Sequence, residues 1–173
     1  FLGSKGTDLW FFTNKNSPNG KIVKLKVNEN KSFLWEDVIK EASFSISGFS
    51  LINNRLVIEY LVDSMSKVDF FNLNGDYLAS LDLPNTGSVS GFNGQMKDRH
   101  TYFSFTNYVT PNQIYKMDME TLDYQEYWSE VLPNFNSSDF IAELRFYDSK
   151  DGTKIPLHIS YKTDTSLEVD TPI

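Results

Sequence analysis

FIAELRFYDSKDGTKIPLHISYK, residues 140–162, decides how the chain is read. Before its polar centre, Ala142, Leu144 and Phe146 alternate with Glu143, Arg145 and Tyr147. After it, Ile155, Leu157, Ile159 and Tyr161 alternate with Lys154, Pro156, His158 and Ser160. Period-two alternation on both sides of a polar turn predicts a β-hairpin with one apolar face. Asp151 and Gly152 stand at the reversal, where glycine accepts the positive φ of a tight turn. Pro156 has no N–H for a ladder, so its strand is expected to be an edge there or to turn that position outward.

Upstream the chain repeats. DLWFFTN (8–14) is a short apolar strand, NSPNG (16–20) a turn, and KIVKLKV (21–27) a half-buried strand with Val23, Leu25 and Val27 facing one way and Lys24 and Lys26 the other. The arrangement returns in YFSFTN (102–107) and IYKMDM (114–119), with Tyr115, Met117 and Met119 on one face. Thr13 and Asn14 recur as Thr106 and Asn107, 93 residues on, as do Ser17 and Pro18 as Thr110 and Pro111. Halfway between stands RLVIEYLVD (55–63), so the period is near half of that spacing. Such a period, with about four strands per unit, is the signature of a β-propeller blade.

The middle unit offers ASFSISGFSLI (42–52), RLVIEYLVD, KVDFFNL (67–73) and YLASLDL (77–83), punctuated at Asn53 and Asn54, at residues 63–66, and at Asn74 and Gly75. RLVIEYLVD is apolar almost throughout, as a strand covered on both faces should be. The third unit offers SVSGFNGQM, TYFSFTNY, NQIYKMDM and DYQEYWSEV. The first unit is expected to lack its opening strand. Trp35, Val38, Ile39 and Ala42 have helical spacing, but the repeat favours a fourth strand at 32–39. The fold class expected is therefore all-β: about three four-stranded blades of a partial propeller over residues 1–133, then a separate hairpin within 134–173.

The chain has 173 residues and begins with Phe1, and is read as a piece of a longer protein. Its charge of −7, with no basic stripe, argues against nucleic acid as a partner. Cysteine is absent, which removes disulfide, Cys–zinc and thiol chemistry and suits a cytoplasmic location. No apolar run reaches membrane-spanning length. The 14 Phe and 9 Tyr fit packing on pleated sheets better than a carbohydrate-stacking platform.

Catalytic, cofactor and metal residues are all expected to be none. GSVSG (87–91) has Val89 where a nucleophile elbow needs serine, and reads as an innermost strand entering a bulge. His100 lies in the polar stretch KDRHT, read as a turn, and His158 shares a face with Lys154 and Ser160, so both read as solvated histidines. Asp118, Glu120 and Asp123 read as a solvated turn. Asn30-Lys31-Ser32 and Asn136-Ser137-Ser138 fit the glycosylation pattern, which matters only for a secreted chain.

FFTNKNSPNGKIVKL, GSVSGFNG, YFSFTNYVTPNQIYKMD and above all FYDSKDGTKIPLHISYK together resemble the prolyl oligopeptidase family of serine peptidases, in order and spacing, across nearly the whole chain. The resemblance implies a propeller set on an α/β-hydrolase domain, with this chain supplying the last blades and the first hydrolase strands. It implies acyl transfer by a serine activated by histidine, after proline, in short peptides admitted by the propeller. The family's catalytic residues lie C-terminal to the matched region, so none is carried onto this chain, which alone is expected to be inactive. The inner strands, residues 43–49 and 88–92, would face the central tunnel. TDTSLEVDTPI (163–173) departs from the usual family connection. The competing reading is a self-contained propeller that binds a peptide or a sugar; a sheet-forming hairpin after the final blade argues against it. Three blades alone leave open sides and unpaired edges, so the isolated chain is expected to be poorly stable.

Overall fold

The computed structural model of the chain describes residues 1–27 and 32–166. Three antiparallel meanders follow one another. The first is β1 (Gly3–Lys5), β2 (Asp8–Thr13), β3 (Lys21–Val27) and β4 (Phe33–Ile39). The second is β5 (Ser45–Ile52), β6 (Arg55–Val62), β7 (Met65–Asn72) and β8 (Tyr77–Ser80). The third is β9 (Ser88–Gly91), β10 (His100–Asn107), β11 (Thr110–Asp118) and β12 (Tyr124–Ser129). A 3₁₀ turn, Ser137–Asp139, leads into β13 (Phe140–Asp148) and β14 (Lys154–Lys162), which among the described residues pair only with each other. No α-helix occurs among the described residues, so the window around Trp35 is a strand.

Local chemistry sets the reversals. Asn53 and Asn54 (φ 47° and 56°) join β5 to β6, and Asp63 and Ser64 (φ 48° and 65°) join β6 to β7. The pairs Ile52↔Arg55 and Val62↔Met65 make both two-residue hairpins. Two consecutive positive φ values match the right-handed twist of the flanking strands.

Two cores lie between the sheets. Trp10, Ile22 and Ile39 of blade one meet Leu51, Leu56, Ile58 and Tyr60 of blade two. Val57, Val68 and Phe70 of blade two meet Val89, Phe92, Phe103, Tyr115 and Met117 of blade three. β6 thus feeds alternate side chains into both cores, which is why its sequence shows almost no polar alternation. Each blade covers a face of the next, as in a propeller that has not closed.

Three expectations need correction. The first blade does not lack its opening strand: β1 pairs with β2 through Gly3↔Trp10, Ser4↔Leu9 and Lys5↔Asp8. Gly-Ser-Lys carries no apolar alternation, and Gly3 leaves room for Leu51 of blade two, whose Cδ2 would lie 2.8 Å from a β-carbon there, so the residue at the contact hides the strand. Lys24 is not on a solvated face: it is buried, beside Trp10, with Nζ 3.4 Å from Glu36 and 3.9 Å from Asp8. Its partners on the adjacent strands compensate the buried charge. Finally, β8, β9 and β12 are shorter than their sequence segments. At the end of β9, Gly91 (φ 124°) and Phe92 (φ 48°) turn the chain and drive Phe92 into the core, stacked on Phe103 at 5.0 Å.

The hairpin also differs from expectation. Its register, Ala142↔Ser160, Leu144↔His158 and Phe146↔Pro156, sets the apolar series of β13 beside the polar series of β14. Glu143, Arg145 and Tyr147 correspondingly face Ile159, Leu157 and Ile155. The cause is the connection of five residues between the paired Asp148 and Lys154. An odd count pairs even positions with even, and one residue more or less would have aligned the apolar series. Both faces are therefore mixed. Gly152 takes φ 82° as the turn requires, and β14 has a free edge for Pro156. Asn30 and Lys31 of the first glycosylation pattern, and residues 167–173 of the C-terminal segment, lie outside the described residues.

Candidate functional site

The hairpin meets the blades at the β10–β11 turn. Asn107 builds that turn: its Oδ1 accepts the Val109 N–H at 2.9 Å, and its Nδ2 donates to Thr86 O at 3.0 Å. The turn is thereby pinned to the segment entering β9. Val109 is buried while Tyr108 projects, 72% exposed. The Tyr108 ring lies 5.3 Å from the His158 ring of β14, tilted by 51°. A cavity of about 260 Å³ opens beside this pair, lined by Ser64, Ser88, Thr106 and Ala142 among others. His158 is therefore half-buried against a tyrosine at a junction, not a freely solvated strand residue.

The junction offers hydroxyls, an amide and an imidazole, with no carboxylate lining the cavity. Among the described residues, no hydrogen bond joins His158 to a hydroxyl there. The contact the structure shows there is between the Tyr108 and His158 rings, which joins the hairpin to blade three. On the other hairpin face, Tyr161 donates to Glu143 Oε1 at 3.1 Å and Arg145 lies 2.6 Å from the same oxygen. The Tyr161 contact ties β14 to β13, and the Arg145 contact lies within β13.

His100 is the first residue of β10 rather than part of the preceding turn, with Nε2 3.8 Å from Asp118 Oδ2. Arg99 Nε donates to the same oxygen at 2.8 Å, and the Glu120 N–H donates to Asp118 Oδ1 at 2.8 Å. The backbone N–H and the guanidinium hold the Asp118 carboxyl below its usual range. Asp118 is thus the paired last residue of β11, and of the expected acidic turn only Glu120 lies in the turn that follows. Among the described residues, no three His, Asp or Glu side chains converge on a metal position.

β5 and β9 each form one edge of a sheet, and GSVSG is largely the strand β9. Ser45 and Ser90, which lie on these strands, are both exposed. Ser90 Oγ lies 2.9 Å from Ser104 Oγ, and Ser45 Oγ donates to Asn19 Oδ1 at 2.9 Å. The Tyr108–His158 contact was not legible beforehand, since a turn tyrosine carries no periodicity.

Comparison with known proteins agrees with this geometry. The family model described as "Prolyl oligopeptidase, N-terminal beta-propeller domain" matches residues 2–129. The chain is 36% identical over 167 residues to a prolyl endopeptidase of Elizabethkingia meningoseptica, covering 96% of this chain and 23% of that protein. A solved structure from a study of two prolyl endopeptidases and their inter-domain dynamics superposes with a TM-score of 0.83 at 33% identity, over 95% of this chain and 24% of that one. Prolyl oligopeptidase B from Galerina marginata shares the fold, with a TM-score of 0.86 at 22% identity, over 95% and 24% of the two chains. The chain thus spans about a quarter of the length of these relatives. No helix among the described residues is long and apolar enough to cross a membrane. With its three stacked meanders and a family match over residues 2–129, the chain belongs to the prolyl oligopeptidase family, and those residues to the family's N-terminal β-propeller domain.

Proposed function

We propose that this chain supplies the last blades of the propeller and, from about Asn134, the opening strands of the α/β-hydrolase domain of a cytoplasmic serine endopeptidase. The whole enzyme cleaves short peptides after proline. The propeller caps the active site and limits the size of what enters, while serine, histidine and aspartate from a segment outside this chain perform acyl transfer. The observation that carries the reading is the hairpin. It pairs with no blade, and it exposes Ile141 and Leu157 on one face and Phe146 on the other. Such a ribbon fits a larger sheet that covers both its faces. The propeller match ends at residue 129, upstream of the hairpin, which supports the same boundary.

The test uses the full-length polypeptide that carries this chain. It should cleave a proline-containing chromogenic peptide and be labelled by a fluorophosphonate at one serine. The 173-residue chain alone should do neither. A full-length protein that neither cleaves nor labels would overturn the reading in favour of a propeller that only binds.

A further inference from the structure

Three Asn–Gly pairs occur in the chain: Asn19-Gly20, Asn74-Gly75 and Asn93-Gly94. In such a pair the glycine nitrogen can attack the carbon of the asparagine side-chain amide, because no side chain on glycine shields the approach. The fold holds the first two pairs and leaves the third free. Asn19 Nδ2 donates to Ala42 O at 3.0 Å, its Oδ1 accepts from Ser45 Oγ at 2.9 Å, and the Gly20 N–H donates to Ser17 O at 2.7 Å. The Gly75 N–H donates to Asn72 O at 3.0 Å, and Gly75 packs directly on the Val38 carbonyl of blade one.

Asn93 and Gly94 are both exposed, in the loop 92–99 between β9 and β10. Among the described residues, neither the Asn93 side chain nor the Gly94 N–H has a hydrogen-bond partner. The backbone on either side is fixed: the Asn93 carbonyl accepts from Thr101 Oγ1 at 3.0 Å, and the Gln95 N–H donates to Asp98 Oδ2 at 2.8 Å. The loop also rests on blade two. The Asn53 N–H donates to Gln95 O at 3.4 Å, and a β-carbon on Gly94 would lie 3.1 Å from Ile52 Cγ2. The hairpin leaves this loop uncovered, because it is Ser88, at the opposite end of β9, that lines the junction with His158.

We propose that Asn93 is a site of spontaneous deamidation, and that its conversion loosens the seam between blades two and three. The Gly94 nitrogen gives its proton to solvent base and bonds to Asn93 Cγ, and Nδ2 leaves as ammonia. Water then opens the succinimide at one of its two carbonyls, leaving aspartate or isoaspartate. Either product adds a negative charge next to Gly94, where Asp98 Oδ2 stands 3.5 Å from the place of a β-carbon. Like charges so close repel. Isoaspartate also lengthens the backbone by a methylene and turns the carbonyl that Thr101 holds into a free carboxylate. Gly94 and Gln95 cannot then both keep their places against Ile52 and Asn53.

The test is peptide-resolved mass spectrometry of the full-length polypeptide incubated at pH 8, with amide hydrogen exchange read on the same samples. Breaking the hydrogen bond of the Gly20 or Gly75 N–H before attack slows those pairs, so Asn93 should convert about tenfold faster than Asn19 or Asn74. In urea, which removes the fold, the three rates should converge. Exchange in β9 and at Asn53 should quicken in step with conversion at Asn93. Asn93→Gln, which closes the larger ring slowly, should prevent both changes. Asn19 or Asn74 converting as fast as Asn93 in the native state, or rates whose order urea leaves unchanged, would overturn the site. Conversion at Asn93 with unaltered exchange, or equal quickening in Asn93→Gln, would overturn the loosened seam. Should Asn93→Gln fail to fold, the native and urea rates and the native exchange decide alone.

Discussion

Gly75 of blade two lies directly against the Val38 carbonyl of blade one: a β-carbon at Gly75 would sit 2.0 Å from Val38 O. Asn72 shapes the turn that brings it there. Its Oδ1 accepts the Asn74 N–H at 2.9 Å and the Asp76 N–H at 3.0 Å. Gly75 itself takes φ 89°, so it answers both to backbone conformation and to inter-blade contact.

Gly75→Ala is therefore expected to cost about 2–4 kcal/mol, the sum of left-handed strain and a clash with backbone that cannot swing aside. Gly152 shares the positive φ (82°) but has no atom within 4 Å of its hypothetical β-carbon. Gly152→Ala should cost only about 1 kcal/mol. Urea midpoints of the two variants in the full-length polypeptide separate the terms. Equal losses would mean that the blade contact adds nothing.

Trp10 joins the same two blades. It is 2% exposed, and its Nε1 donates to Leu73 O at 3.2 Å. Trp10→Phe leaves that carbonyl unpaired and a gap in the core, a loss of about 1–3 kcal/mol. Trp35, 57% exposed, should tolerate the same change within about 0.5 kcal/mol. Thermal unfolding followed by circular dichroism checks both. A harmless Trp10→Phe would remove the indole as a tie between blades.

Glu59 makes stability depend on pH in a definite direction. Its carboxyl goes from an ordinary 4.5 to about 7 on folding. Between these values the native state holds more protons, so stability falls as pH rises and levels off above about 7. The total loss approaches about 3 kcal/mol. Glu59→Gln should match the native protein near pH 4 and exceed it at pH 8. Parallel urea midpoints of the two proteins from pH 4 to pH 8 would remove Glu59 from the balance.

What was legible follows from how the signal is stored. The blades were readable because β6 and β11 write their burial into side-chain order, and because Asn53, Asn54 and Gly75 mark reversals by backbone chemistry. β1 was not, since its contact with Leu51 is made by the absence of a side chain at Gly3. The hairpin itself was visible but not its faces, because register depends on the length of the turn and not on either strand. Lys24 reads as a polar-face residue and Glu59 is unmarked within an apolar run; neighbouring blades and strands bury both. The site at the junction was silent for the same reason: Tyr108 and His158 are 50 residues apart and meet only after folding.

The Tyr108–His158 contact should hold the hairpin to blade three by a modest amount. A double-mutant cycle with Tyr108→Ala and His158→Ala is expected to show a coupling of about 0.5–1.5 kcal/mol, the range for aromatic pairs. Hydrogen exchange in β13 and β14 should quicken in either variant while β6 stays protected. Additive effects would reduce the pair to mere proximity.

The tunnel reading is tested at Ser90 and Ser45. Both hydroxyls are small, exposed and held on edge strands, Ser90 by Ser104 and Ser45 by Asn19. If these edges line the passage to the hydrolase site, a bulky side chain there narrows entry without touching the chemistry. On the proposed function, Ser90→Trp in the full-length polypeptide should then slow cleavage of long proline-containing peptides, raising KM more than it lowers kcat. A dipeptide chromogenic substrate should be cleaved as before, because uniform access to the reacting atoms is retained. Ser45→Trp should act in the same direction. Equal kinetics for long and short peptides in both variants would place the passage elsewhere, leaving β5 and β9 as structural edges only.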